Sequence, residues 1–301
     1  MSGSLGIRWT TGDVSERGFE ALRLSIHGAC NVFGSQTRYV VYVNSMPVEE
    51  ARRRTGAVPA AVEWRPAPRE IPPILRAHLD SHMAEGVAWK LLPLRTFPDR
   101  LELALDNDVI LWREPEAIRL WRTERPDACV VAADVTASHG AFSELCGPEP
   151  RNSGIRGIPP DFDLERALAQ VLQRVPVRLS SELDEQGMQI AALSLNRPPL
   201  VVPTSEVTIC SPFHPHQFHL GTCGAHFVGI NARALPWKYY DRPATEVRVE
   251  HWMHHLPELH RRLTLTPAQS DVTSRTPTDP GARTPEPPPA SGTNSCPRAP
   301  R

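Results

Sequence analysis

The chain has 301 residues, with 33 Lys or Arg against 34 Asp or Glu and a formal net charge of −1. That balance excludes a global electrostatic attraction to nucleic acid or to an anionic membrane. Hydrophobic residues make up 40% of the sequence, enough to bury a core, so wholesale disorder is excluded as well. Leu5 to Thr10 reads as a short apolar strand, stopped by Thr11-Gly12-Asp13. A helix follows, with Asp13 or Ser15 as its N-cap. Phe19, Leu22, Ile26, Ala29, Cys30 and Phe33 fall on one face of it, and Gly34 ends it. Tyr39 to Val43 is apolar on both faces, as in a central parallel strand. Ala61 to Trp64 reads as a third strand, Ser81 to Leu94 as a helix, and Leu101 to Trp112 as the strongest strand.

Strands alternating with helices predict an α/β fold with a mostly parallel sheet. In such sheets ligands bind beyond the carboxyl ends of the strands. Thr10 to Asp13 and Asn44-Ser45 lie at two such ends, serving either a ligand or ordinary turn chemistry. Residues 265–301 hold nine of the 32 prolines and no aromatic residue. Such a segment buries too little apolar surface to offset its ordering entropy, so a disordered tail is expected over 264–301 and a folded domain over 1–263. The six cysteines show no CxxC and no zinc-type spacing. With no basic-then-apolar leader and no run long enough to span a bilayer, a cytoplasmic protein without an integral membrane segment is expected.

The sharpest chemistry lies in LELALDNDVILW. Residues two apart on a strand share a face, which puts Asp106 and Asp108 with Glu102 on one side and Leu101, Leu103 and Leu105 on the other. Two adjacent carboxylates repel unless one takes a proton or a cation lies between them. The pair is therefore either a site for Mg²⁺ or Mn²⁺, which bridge phosphate oxygens, or an exposed strand end. A second such pair, Asp161 and Asp163, follows two prolines and reads as a turn and helix cap.

From this motif onward the chain resembles the metal-dependent GT-A-fold nucleotide-sugar glycosyltransferases, and within them family 8, the glycogenin and galactosyltransferase-like group. Trp89-Lys90-Leu91 precedes Asp106-Asn107-Asp108; Asn152-Ser153-Gly154 matches the family's turn after that motif; Glu185-Gln186-Gly187 matches its DQG segment. His226-Phe227-Val228-Gly229 and Pro236-Trp237-Lys238 match its closing motif. The segments keep the family order over about residues 5–240. Three departures stand out: Glu185 replaces an Asp, the gap between Gly229 and Pro236 is longer than the family's, and Leu235 stands where the family has a Lys before the Pro-Trp. Arg233 or Lys238 is left to substitute for that Lys, although Arg and Lys are not interchangeable at a phosphate.

The resemblance implies a GT-A fold and transfer of a sugar, with retention of configuration, from a nucleoside diphosphate sugar (UDP-linked by family habit) to an acceptor that is a glycan, a protein or a small molecule. It implies Mn²⁺ or Mg²⁺ held by Asp106, Asp108 and His226. Thr10, Thr11 and Asp13 contact the nucleoside, and Lys90, Asp106, Gly229 and Lys238 serve the diphosphate end of the donor. Asn152, Glu185 and Gln186 line the sugar and the reacting face. On its own residues, His226 reads first as an interior histidine, and Lys90 reads either as a solvated lysine or as a cation aimed at the donor. His214, His216 and His219 form a proline-broken cluster, either metal-binding or part of a loop, and His251, His254, His255 and His260 read as surface or packing residues. Two rivals remain. A nucleotidyltransferase would need a Gly-rich phosphate loop, which Thr10 to Gly18 does not supply; a non-catalytic nucleotide-sugar binder would fit Glu185 and the missing Lys.

Overall fold

The first strand and helix form where the sequence puts them. The computed structural model describes residues 4–79 and 89–264, and in it β1 (Leu5–Thr11) leads into α1 (Glu16–Phe33). Ser15, not Asp13, caps the helix: its Oγ accepts the Gly18 N–H at 3.0 Å. Phe19, Leu22, Ile26, Ala29 and Phe33 enter the main core, and Gly34 closes the helix. The chain continues through β2 (Arg38–Val43), α2 (Val48–Thr55), β3 (Val62–Pro66), α3 (Pro73–Arg76), α4 (Trp89–Leu91), β4 (Leu101–Leu105), β5 (Val109–Leu111), α5 (Glu116–Thr123) and β6 (Val130–Ala133). It then forms α6 (Ser143–Cys146), β7 (Arg151–Ile158), α7 (Leu164–Arg174), α8 (Glu182–Ser194), β8 (Leu200–Val202), β9 (Val207–Ile209) and β10 (Gly224–His226). The hairpin β11 (Lys238–Tyr239) and β12 (Arg242–Pro243) precedes the last helix, α9 (Ala244–Arg262). The helix expected over 81–94 falls outside the described residues for 81–88, as does the tail from 265.

Seven strands make one sheet in the order β3-β2-β1-β4-β7-β6-β8, and only β7 runs against the rest. This is the mostly parallel α/β sheet that the sequence predicts. Period-2 alternation holds within it: Leu5, Ile7 and Trp9 of β1 and Leu101, Leu103 and Leu105 of β4 face the core under α1. The opposite face carries a buried ion pair, Arg8 Nε to Glu102 Oε1 at 2.8 Å, and a second core built around α7 and α8. A smaller sheet, β5-β10-β9, packs a third core against α9.

Two expectations need correction. The strand over Leu101 to Trp112 is two strands: β4 belongs to the large sheet, β5 to the small one, and the chain turns at Asp106 to Asp108, where the Val109 N–H donates to the Asp106 carbonyl at 3.0 Å. Asn152-Ser153-Gly154 is not a turn but the start of β7. Of the late histidines, read as surface or packing residues, His251, His255 and His260 are buried and His254 is exposed.

The last helix closes back on the first. Trp252 Nε1 donates to Glu20 Oε2 at 2.7 Å and Asn31 Nδ2 to the Leu263 carbonyl at 3.1 Å, each pair 232 residues apart. No described helix is long and apolar enough to cross a membrane.

Candidate functional site

The carboxyl ends of β1, β2 and β4 lie side by side, and the acidic turn begins where β4 stops. The Asp106 N–H donates to the Gly154 carbonyl at 2.8 Å, which ties that turn to β7. From the small sheet, β10 delivers His226. Asp106, Asp108 and His226 each offer a ligand atom within 4.8 Å of the other two. His226 Nε2 is 3.3 Å from Asp108 Oδ1. Gly154 makes room for this ring: a Cβ there would stand 2.5 Å from His226 Cε1, closer than any side chain allows.

Asp108 Oδ1 is buried and accepts no hydrogen bond, an expensive state for a carboxylate oxygen without a cation. Its Oδ2 accepts from Asn231 Nδ2 at 3.1 Å. Asn231 also exchanges amide hydrogen bonds with Asn107, at 2.6 and 2.9 Å, so the loop after His226 is locked onto the acidic turn. Two carboxylates and one imidazole are donors that suit Mn²⁺ or Mg²⁺, and the orphaned Oδ1 faces into them, so these residues fit such an ion.

Two cations brace the same group from the other side. Lys90 Nζ is 2.9 Å from Asp106 Oδ2 and 3.5 Å from Glu185 Oε2; Arg156 reaches Asp106 Oδ1 at 3.5 Å and Gln189 Oε1 at 2.9 Å. Burial alone would raise the Asp106 carboxyl, but Lys90, Arg156 and His226 together hold it below the usual range. At Glu185 the burial wins and its carboxyl is pushed up despite Lys90 and Arg156. Burial works against charge on His226 and Lys90 too; Asp108 and then Asp106 raise the imidazole, while Asp106 and Glu185 raise the amine. Lys90 and Arg156 thus face the carboxylates of Asp106 and Glu185, while His226 faces Asp108.

The remaining expected residues divide. Gln186 accepts the Ser153 N–H at 3.3 Å and donates to the Ser138 carbonyl at 3.0 Å; Asn152 donates to Asp134 Oδ2 at 2.9 Å and accepts from the Gly154 N–H at 2.7 Å. Both lie around the acidic turn. Glu185 is 3% exposed, covered by Lys90, Arg156 and Gln189. Thr10 and Thr11 end β1, and Thr11 Oγ1 is buried without a partner. Asp13 is exposed and paired with Arg54 and Arg233, which pull its carboxyl below the usual range. Gly229 and Lys238 are exposed, and among the described residues no ion pair joins Lys238 to the acidic group. Sequence reasoning missed Arg156, Gln189 and Asn231. Only Gln189 carried a local signal, four residues after Glu185 on one helix face.

No protein-family model matches the chain, and no curated protein matches it. Solved structures do. WbbM, a bifunctional glycosyltransferase solved in its apo form, aligns with a TM-score of 0.50 at 12% identity, over 87% of this chain and 52% of that one. The galactosyltransferase LgtC in complex with donor and acceptor sugar analogs aligns at 0.49 and 13% identity, over 87% and 98% of the two chains. An active-site mutant of LgtC aligns at 0.46 and 14%, with the same coverage. The likeness to WbbM, with the strand order above, shows a GT-A-type fold.

Proposed function

We propose that the chain is a divalent-metal-dependent glycosyltransferase that moves a sugar from a nucleoside diphosphate sugar to an acceptor. One observation carries the reading: Asp106, Asp108 and His226, up to 120 residues apart in sequence, converge within 4.8 Å at the carboxyl end of the sheet. Asp106, Asp108 and His226 would hold Mn²⁺ or Mg²⁺, which when bound supplies positive charge to a departing diphosphate.

The chain's own residues supply the rest. Lys90 and Arg156 fix Asp106 in its ionised form, and Glu185 holds the two cations in place. Asn231 orients Asp108. Thr10, Thr11 and Asp13 face the nucleoside, with Asp13 steadied by Arg54 and Arg233. Asn152 and Gln186, each hydrogen-bonded on both sides, orient the backbone of residues 152–154 beside the donor sugar. Gly229 and Lys238, both exposed and following His226 in the chain, face the diphosphate, and the product keeps the anomeric configuration of the donor.

The test is Asp108→Asn. Asn keeps the shape of Asp but holds a hard cation poorly, and the lost support is worth several kcal/mol of barrier, so transfer or donor hydrolysis with Mn²⁺ falls by about a thousandfold. The metal-free melting temperature holds or rises, since one repelling carboxylate is gone. UDP plus Mn²⁺ raises the melting temperature of the wild type and much less that of the variant. Near-normal activity in Asp108→Asn overturns the reading; ligand stabilisation of the wild type without turnover favours the non-catalytic binder.

A further inference from the structure

A second set of metal-type donors meets between β9 and α9. Cys210 follows β9, and His251 and His255 lie four residues apart on one face of α9. All three are buried, at 1%, 4% and 7% exposure. The Cys210 sulfur and one ring nitrogen of each histidine lie within 4.8 Å of one another. Cys210 Sγ is 3.4 Å from His251 Nε2. A tetrahedral zinc ion, with bonds of ~2.3 Å to sulfur and ~2.0 Å to nitrogen, sets such a pair about 3.5 Å apart.

Tautomer and surroundings agree with that spacing. His255 Nε2 donates to the Phe218 carbonyl at 2.9 Å, which leaves Nδ1 with a free lone pair. Metal-binding histidines are commonly held by this kind of bond from the far ring nitrogen. The Phe218 ring covers His251 at 4.5 Å. A cavity of about 10 Å³ lies against Cys210 and His251, closed by Phe227 and Trp252, with space on the scale of one water. Arg248 also borders it, but its guanidinium is turned onto the carbonyls of Gly229 and Ala232. A thiolate with two imidazoles is a soft-to-borderline donor set, which selects Zn²⁺ or Co²⁺ over the Mg²⁺ or Mn²⁺ that suit Asp106 and Asp108.

We propose that Cys210, His251 and His255 form a zinc-class metal site that clamps α9 to β9, with water at the fourth position. The clamp braces the sugar site from behind. The Cys210 N–H donates to the His226 carbonyl at 2.7 Å, and Arg248 on α9 holds the loop that follows His226. The site stands whether or not the chain transfers sugar.

The test is Co²⁺ titration of the metal-stripped full-length protein, read by the near-ultraviolet thiolate-to-cobalt charge-transfer band. One equivalent develops the band in the wild type, in Cys223→Ser and in Asp108→Asn, and not in Cys210→Ser. His251→Gln and His255→Gln keep the thiol and weaken binding by at least about tenfold, which carries the comparison if Cys210→Ser does not fold. Absence of the band in the wild type overturns the proposal. So does an undiminished band in Cys210→Ser, or unchanged affinity in both histidine variants.

Discussion

Glu102 shows how completely one carboxylate can be enclosed when both its oxygens are hydrogen-bonded. It has no exposed surface, and it accepts from Arg8 Nε at 2.8 Å, the Thr96 N–H at 2.7 Å and the Phe97 N–H at 2.8 Å. Breaking such a pair strands the partner's charge, so Glu102→Ala lowers stability by about 3–5 kcal/mol. The measurement is urea unfolding, with the midpoint falling at constant slope; a loss under about 1 kcal/mol rules the account out. Strand alternation put Glu102, Asp106 and Asp108 on one face. It succeeds for Glu102 and fails for the pair, because alternation describes a chain that stays in one sheet. Asp106 and Asp108 come together through a turn between two sheets. Arg156 and Asn231 were invisible for a related reason: they reach the acidic turn from remote segments, and no local spacing encodes that. Cys210, His251 and His255 share this blindness, since a zinc motif is sought at short spacing and here the cysteine stands 41 residues before the first histidine.

Among the elements, α8 has the most explicit start. Ser181 and Asp184 form a capping box, and Asp184 also accepts from the Ala141 N–H at 2.9 Å and the Ser180 N–H at 2.9 Å. Burial would raise the Asp184 carboxyl, but these donors hold it below its usual value. A carboxylate depressed in the folded state stabilises above the unfolded value near 3.9, and the contribution fades as pH falls through the lower folded value. Asp184→Asn is therefore less stable by about 1–3 kcal/mol at pH 7. The gap between variant and wild type, followed by thermal melting, closes below about pH 3.9; a gap independent of pH contradicts the assignment. The same helix explains one motif residue that resemblance alone could not: a Cβ on Gly187 would stand 2.0 Å from the His139 carbonyl oxygen. Elements were legible where an apolar pattern ran long enough, as in β1, α1 and β2. They were not where the element is short or polar: β9 and β10 have three residues each, and α2 is eight residues rich in Arg and Glu.

For the molecule as a whole, the parallel order was readable from alternating strands and helices, while the second sheet was not, since its strands are joined by contacts remote in sequence. We propose that the folded domain ends with α9. Leu263 is buried and its carbonyl accepts from Asn31, so among the described residues the last one with a structural partner in the first helix lies there. A chain stopped after Thr264 keeps the melting temperature and ligand response of the full chain. A drop of several degrees would place part of the fold beyond that point.

The hydrogen bonds from α9 back to α1 also set an order in time. Partners 232 residues apart leave the ribosome about 10–50 s apart at ordinary rates of synthesis. During that interval α1 has only its nearer neighbours, and neither His226 nor the helix behind it exists to complete the acidic turn. The nascent chain can therefore hold its first strands in register while remaining unable to assemble the site, and competence arrives only once β10 and α9 have been translated.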